Sequence, residues 1–538
     1  MASCDMSSSE LQSMTERATF IVDPVDVSKL RDVVSKLTCI GYSENSVRER
    51  LDLADLASLQ WRGIPIYRSE HLANRDPLAL AIELFLLQGT LPTDELDRLF
   101  TRSERDVLIR AGLLAIDGDQ DKDKNKNKNG MSLARARASL FPVGDRLIFS
   151  DHAWPELPHP GHASVPCDQV MAVGSDSRRL ACCTTRRPFR AALDLCTGSG
   201  IHALLASAHA ERVLAVDINP RAASCTRFNA LASGANNVEV VVGDLFEAVR
   251  GKRFDLITVN PPFVPSPLDT LRFRDGGRSG EDIQKRIVAG LPHHLAPGGM
   301  AQMVTELGER DGELPVGQSG DRSGDQLGDR LREWLHGAPM DIHILRLAEL
   351  SAMKYAIGHA KGDDYQAFLD STHGWASNLR AQGYTRIVSV VISFQWSDAS
   401  CGPPWERVDE SPPPRRAAGA EIDAAFLAER TIRRVDWQQI LKHSRLRRAG
   451  PIALLDAQVL GSDIPAKTRA TLLGRALKIE HHLDPVERAI LDRMDDDGEG
   501  HISVADLIEI SCDLEVNEST VLAAARSLLQ RQLIHIDA

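Results

Sequence analysis

The feature that most constrains the fold is a regular alternation in the middle of the chain. Short apolar runs alternate there with helix-like stretches: "AALDLCT" (191–197) precedes "GIHALLASAHA", "RVLAVDI" (212–218) precedes "PRAASCTRFNALASG", and "VEVVVGD" (238–244) precedes "LFEAVRG". A fourth run, "FDLITVN" (254–260), follows. Apolar strands separated by helices imply a parallel sheet covered on both faces, an α/β doubly wound arrangement. Ligands of such sheets bind at the carboxyl ends of the strands, near the point where strand order reverses. The functional residues are therefore expected where each of these four runs stops.

The first run stops in "LDLCTGSGIHALLA". Gly198 and Gly200 let the backbone turn tightly and approach a ligand. Gly198 through Ala203 also fits G-x-G-x-x-A, the dinucleotide fingerprint, so an NAD-binding oxidoreductase is an alternative at this point. Three acids weigh against it. Asp194 precedes the glycines, where a carboxylate suits a bound cation or ammonium better than a pyrophosphate. Asp217 ends the second strand and is placed to accept from ribose hydroxyls. Asp244 ends the third and, with Leu245, is placed beside an adenine edge. Together they suit an adenosyl group that carries a sulfonium and an amino-acid ammonium.

The fourth run ends in "DLITVNPPFVPSP". A buried strand that closes on a polar amide and then gives up two backbone donors brings two acceptors together, the Asn260 side-chain oxygen and the Pro261 carbonyl, each placed to take one N–H of a bound group. Pro261 and Pro262 stiffen the loop, and Phe263 is available to stack on a planar group.

These blocks, in this order and spacing, resemble the class I S-adenosylmethionine-dependent methyltransferases, and more narrowly the subset whose fourth strand ends in Asn-Pro-Pro-Tyr/Phe. The likeness covers roughly residues 191–308. It implies a Rossmann-like domain with S-adenosyl-L-methionine as cofactor, held by Asp194, Cys196, Thr197, Gly198, Gly200, Asp217, Ile218, Asp244, Leu245 and Asn260. It further implies catalysis by Asn260, Pro261, Pro262 and Phe263. The subset methylates planar nitrogens: glutamine amides of release factors and ribosomal proteins, or exocyclic amines of adenine and guanine. The Gly-rich stretch "RFRDGGRSGEDIQKRIVAGLPHHLAPGG" is similar to that of the glutamine methyltransferases. The overall layout also resembles three-part bacterial methyltransferases with winged-helix-like flanks. Two departures stand out: Cys196 replaces the first glycine of the motif, and "TTRRPFR" (184–190) lacks the Glu of the family's Arg-Pro-x-Thr-Glu sequence.

On either side of this domain the patterning changes. Residues 1–19 read as a disordered tail. Residues 20–180 hold three short amphipathic helices between Pro77 and Asp117, then two β-prone runs around Gly144, the order of a winged helix. The polar run 117–130 reads as a mobile loop, and 308–330 has similar composition. The methyltransferase domain is expected over 181–400, a Pro-rich connection with a helical segment over 401–480, and a second winged-helix-like domain over 481–538, with Asn517 as a helix N-cap.

With a net charge of -12 over 538 residues, the chain lacks the basic footprint of a protein bound mainly through phosphates. A protein substrate is therefore expected first, a nucleic acid second and a small molecule third. A docking or regulatory protein that senses the adenosyl ligand without catalysis is a further alternative. The nine cysteines form no C-x-x-C pair, which points to a reducing, cytoplasmic setting. Neither a signal peptide nor a membrane span is expected. The paired histidines lack companions at metal spacing, so no metal is expected. "DDDGEGHISVAD" (495–506) fits a calcium loop only partly, because its last ligand is Asp. The sequence does not fix an oligomeric state.

Overall fold

A computed structural model describes residues 17–116, 132–152, 166–268, 271–310, 326–434, 445–457, 467–496 and 501–537. The chain forms two compact units, one of residues up to Ala181 with Arg187–Thr305, the other of Cys182–Arg186 with Glu306–Ala538. Of the disordered tail expected over 1–19, residues 1–16 lie outside the described residues. The last three are anchored: Arg17 pairs with Asp151 at 2.9 Å and Asp168 at 2.7 Å, Ala18 is buried, and the Thr19 hydroxyl donates to the Ala111 carbonyl.

The first unit contains the expected parallel strands, Phe189–Leu195 (β1), Ala210–Asp217 (β2), Val238–Val242 (β3), Phe254–Val259 (β4) and Leu295–Arg310 (β5), the last of which runs on into the second unit. All neighbouring pairs are parallel: β2 with β3, β1 with β2, β1 with β4, and β4 with β5. Strand order therefore reverses between β1 and β4, which puts the ligand crevice at their carboxyl ends. Almost every residue of β1 and β4 is buried, as strands covered on both faces require. The helix Pro220–Ser233 after β2 begins with Asn219 accepting from the Arg221 N–H, has Pro220 in its first turn, and stops at Gly234 with φ +71°.

N-terminal to this sheet, the helices Pro77–Ala81, Thr93–Leu99 and Arg102–Arg110 accompany a three-stranded antiparallel sheet in the order Thr90–Pro92, Leu133–Ala136, Leu114–Ile116. The hairpin expected around Gly144 exists, with Leu140 opposite Phe149, but as a separate two-stranded sheet. The strands that follow the third helix are instead Leu114–Ile116 and Leu133–Ala136, on either side of 117–131, which lies outside the described residues. Burial explains the difference. The hairpin's Phe149 packs edge-on against Phe85 and Phe228, and its N–H and carbonyl both bond the Asn229 amide, at 2.9 and 2.7 Å. The hairpin thus belongs to a core shared with the helix after β2.

The second unit contains a long antiparallel pair, Met340–Ser351 with Tyr384–Trp396, joined through the helices Ala352–His359 and Tyr365–Ala381. The stretch 401–480, read as a connection with a helical segment, holds the helix Gly419–Arg434 and strands besides. Glu406–Glu410 pairs parallel with Met340–Ser351, and Ile452–Ala457, Lys467–Leu472 and His481–Leu483 form an antiparallel sheet. Within the polar run 308–330, residues 311–325 lie outside the described residues, while Gly308–Arg310 end β5 and Gln326 opens the helix Gln326–Trp334.

The last three helices are Pro485–Asp496, Val504–Asp513 and Glu518–Gln530, and Asn517 caps the third by accepting from the Thr520 N–H at 2.9 Å. The closing strand Ile534–Asp537 pairs with Arg445–Arg448, from well upstream of the helices. Asp506, the final acid of the calcium-like spacing, forms a capping box with Ser503, and 497–500 lie outside the described residues. No helix among the described residues is long and apolar enough to cross a membrane.

Candidate functional site

At the carboxyl ends of β1 to β4 lies a cavity of about 530 Å³. Its floor is the glycine loop. Gly198 and Gly200 have φ of +57° and +84°. A Cβ on Gly200 would sit 2.8 Å from the Thr226 methyl carbon and 3.2 Å from its Cα, so glycine is what lets the loop rest on the following helix. The Thr226 hydroxyl ties the two together by donating to the Gly198 carbonyl at 3.0 Å. Cys196 has φ +55°, so it adopts the left-handed turn that the replaced glycine would favour. Burial, with Asp217, Asp194 and Asp244 nearby, raises its thiol well above the usual range and keeps it protonated.

The acids divide into two groups. Asp217 lines the cavity and organises it: one carboxylate oxygen accepts from the Asn219 N–H at 2.8 Å and the other from the Gly198 N–H at 2.9 Å. Burial raises its pKa while those backbone donors oppose the rise. Ile218 beside it is half exposed on the same wall. Asp244 and Leu245 line the far end, where Asp244 pairs with Arg286 at 2.7 Å.

Asp194 corrects the sequence reading. It is buried beneath the loop and forms no part of the cavity wall. One oxygen accepts from the Thr197 hydroxyl and the Ala203 N–H, the other from the Thr258 hydroxyl. It braces the turn from below, and burial pushes its pKa up to about 7.

At the end of β4, Asn260 lines the cavity, and its Nδ2 donates to the Ser177 hydroxyl at 3.1 Å. That bond orients the amide with its oxygen available to a ligand. Pro262 also lines the cavity, whereas Pro261 and Phe263 are buried away from it. The stacking role expected of Phe263 is thus corrected. Both the Phe263 and Val264 N–H groups donate to the Arg274 carbonyl, which draws the loop onto the Gly-rich stretch and turns the Phe263 ring inward. The aromatic residue on the wall is Phe273.

That stretch packs backbone to backbone on the Asn-Pro-Pro-Phe loop. A Cβ on Gly276 would lie 2.9 Å from the Phe263 Cα and the Pro262 carbonyl oxygen, and one on Gly280 would lie 2.4 Å from the Phe263 carbonyl oxygen. Sequence reasoning missed Gln169, Met171, Ser177, His202, Arg272 and Phe273 on the wall. Arg272 and Phe273 fall inside the Gly-rich stretch already singled out, but Ser177 and Gln169 reach the site from chain segments with no motif to mark them.

Residues 169–310 match the family model described as Methyltransferase small domain. Residues 40–124 match another, described as a domain of unknown function. A protein of Methanocaldococcus jannaschii, provisionally described as a protein N5-glutamine methyltransferase, is 36% identical over 119 residues, 21% of this chain and 59% of that one. The ribosomal protein uL3 glutamine methyltransferase of Bradyrhizobium diazoefficiens is 38% identical over 130 residues, 22% of this chain and 40% of the relative. The release factor glutamine methyltransferase of Xylella fastidiosa is 40% identical over 122 residues, 20% of this chain and 44% of the relative.

Residues 169–310 are a methyltransferase small domain. The chain spans between 40% and 59% of the length of these three relatives. The donor set fits the cofactor of this domain: a carboxylate at the end of β2, a second at the end of β3, and a glycine loop between them and Asn260.

Proposed function

We propose that the protein transfers a methyl group from S-adenosylmethionine to a planar nitrogen, most specifically the side-chain amide of a protein glutamine. The observation that carries this reading is Asn260, held at the end of β4 by Ser177 with its amide oxygen available to the cavity. Bound there, S-adenosylmethionine supplies an electrophilic methyl group.

The protein's own residues then act on the acceptor. The Asn260 oxygen accepts one N–H, which pulls the nitrogen out of conjugation and fixes its lone pair in line with transfer. Pro262 holds the loop rigid, so the acceptor geometry exists before the substrate arrives. Phe273 offers a ring face to the planar group. The oriented dipoles gain most as positive charge develops on nitrogen, and the proton leaves to solvent after transfer. The glutamine substrate is supported by the functions of the three relatives, and the flanking helix-and-strand modules are proposed to be winged-helix-like docking elements for a macromolecular partner. A cytoplasmic site of action goes with that acceptor class.

The test is to incubate the protein with methyl-labelled S-adenosylmethionine and cell extract, then treat separate portions with protease and with nuclease. Label released by protease and resistant to nuclease supports the reading. Label that survives protease but becomes acid-soluble after ribonuclease overturns the glutamine acceptor in favour of an RNA amine.

A further inference from the structure

The segment that orients Asn260 is tied at two points to the N-terminal module. Ser177, whose hydroxyl accepts from the Asn260 Nδ2 at 3.1 Å, sits in the first turn of the helix Ser175–Cys183. Successive helical residues point about 100° apart, so the next residue, Arg178, is aimed away from the cavity and is buried. Its guanidinium pairs with the Glu44 carboxylate and donates to the Pro142 carbonyl at 3.3 Å. Glu44 opens the helix Glu44–Arg50, and its other oxygen accepts from the Gly144 N–H, in the turn of the hairpin, at 2.9 Å. One carboxylate thus gathers a helix and a hairpin of the N-terminal module onto the helix that carries Ser177.

The second tie lies just upstream. Asp151, buried at the end of the same hairpin, accepts from the Val170 N–H at 2.8 Å and pairs with Arg17 at 2.9 Å and with Arg221 on the helix after β2. Gln169 and Met171 on the cavity wall flank this anchor. A segment pinned at one point can pivot, whereas one pinned at both ends keeps its direction. Asn260 depends on that direction: a withdrawal of Ser177 by about 0.5 Å takes their bond out of range and frees the amide to turn. Removing the Glu44 charge would cause such a withdrawal, because it leaves the Arg178 cation buried without its carboxylate and draws the helix toward water.

We propose that Glu44 and Arg178 are positioning residues for methyl transfer, which hold Asn260 through Ser177, so that the N-terminal module completes the acceptor site. Glu44 lies in the matched region 40–124, and the proposal gives that region a part in the chemistry. It rests on the methyl-transfer reading of the cavity.

The experiment measures, on the full chain, label transfer from saturating methyl-labelled S-adenosylmethionine into cell extract and, in parallel, calorimetric affinity for S-adenosylhomocysteine. The proteins compared are the wild type, Ser177→Ala, Glu44→Ala, the double variant and Glu95→Ala. Glu95→Ala is the control, because it breaks an ion pair of the same module and the Glu95 oxygens bond only Arg75 among the described residues. Ser177→Ala and Glu44→Ala are each expected to slow transfer about tenfold or more with affinity changed less than about twofold. The double variant should be no more than about twofold slower than Ser177→Ala, because both changes act through one amide. Glu95→Ala should transfer at the wild-type rate. Unchanged transfer in Glu44→Ala, a parallel loss of S-adenosylhomocysteine affinity, single losses that multiply in the double variant, or an equal loss in Glu95→Ala would overturn the positioning role while leaving the methyl-transfer reading intact. A wild type that labels nothing in the extract would overturn that reading and the proposal with it.

Discussion

Asn260 and Asp194 show how differently two polar residues at strand ends can serve one site. Asn260 faces the ligand space with its orientation set by Ser177, so its value lies in what it does to the acceptor nitrogen. Asn260→Ala is expected to leave S-adenosylhomocysteine affinity within about twofold while lowering turnover on the order of a hundredfold or more. Titration alongside steady-state kinetics checks it, and parallel losses would assign Asn260 a structural role.

Asp194 faces protein on every side, and its pKa is raised from 3.8 to about 7. The native state therefore holds this proton more tightly than the unfolded chain, so the contribution to stability is full below pH 3.8 and is lost as pH rises through about 7. Asp194→Asn should be the less stable protein at acidic pH and gain on the wild type up to neutrality. His202 runs the other way: its pKa is lowered from 6.5 to about 3, so its contribution is present above 6.5 and fades as pH falls toward 3. Urea unfolding of wild type and Asp194→Asn across this range isolates the carboxylate, and a constant difference between them would contradict the buried-acid reading.

At the scale of elements, the glycines decide what can pack. Gly280 has φ +76° and its missing Cβ leaves room for the Phe263 carbonyl, so Gly280→Ala combines backbone strain with a main-chain collision. It should cost at least about 1–3 kcal/mol and reduce turnover more than donor affinity, since it displaces the Asn-Pro-Pro-Phe loop. Gly144 is the matched control, with φ +58° and open space within 4 Å of where a Cβ would sit, so alanine there should cost only the strain, about 1 kcal/mol. At the C-terminal module, Asn517→Ala removes the acceptor for the Thr520 N–H and should cost about 0.5–2 kcal/mol by thermal melting.

The parallel strands and their helices were legible because apolar runs of this length, punctuated by glycine and strand-end acids, have few other solutions. The partner of a strand was not legible. Leu114–Ile116 and Leu133–Ala136 are three and four residues long and flank a polar segment, so nothing in their composition outweighed the longer hairpin around Gly144. Asp194 was misread for a related reason. A carboxylate before a glycine loop has the same spacing whether it faces the ligand or braces the turn, and only Thr197 and Thr258 converging on it from two strands' ends decide between them.

Across the whole molecule, the ligand cavity lies within the first unit, and every residue on its wall belongs to the segments 167–177, 196–222, 243–245 and 260–286. Those limits coincide closely with the matched family region, 169–310, which is why the cofactor was legible from local motifs. The second unit's long antiparallel pair and its strand Glu406–Glu410 carry no comparable signature, because the buried Trp405 and the strand after it sit in a segment whose prolines resemble a linker.

The most direct measurement is the melting temperature of the full chain with S-adenosylhomocysteine and, separately, with NADH. Binding to the folded state alone should stabilise it by about 2.7 kcal/mol at a hundredfold excess over Kd. The predicted result is a dose-dependent rise with S-adenosylhomocysteine, abolished in Asp217→Ala, and none with NADH. A rise with NADH and none with the adenosyl ligand would contradict the methyltransferase reading and put a dinucleotide in its place.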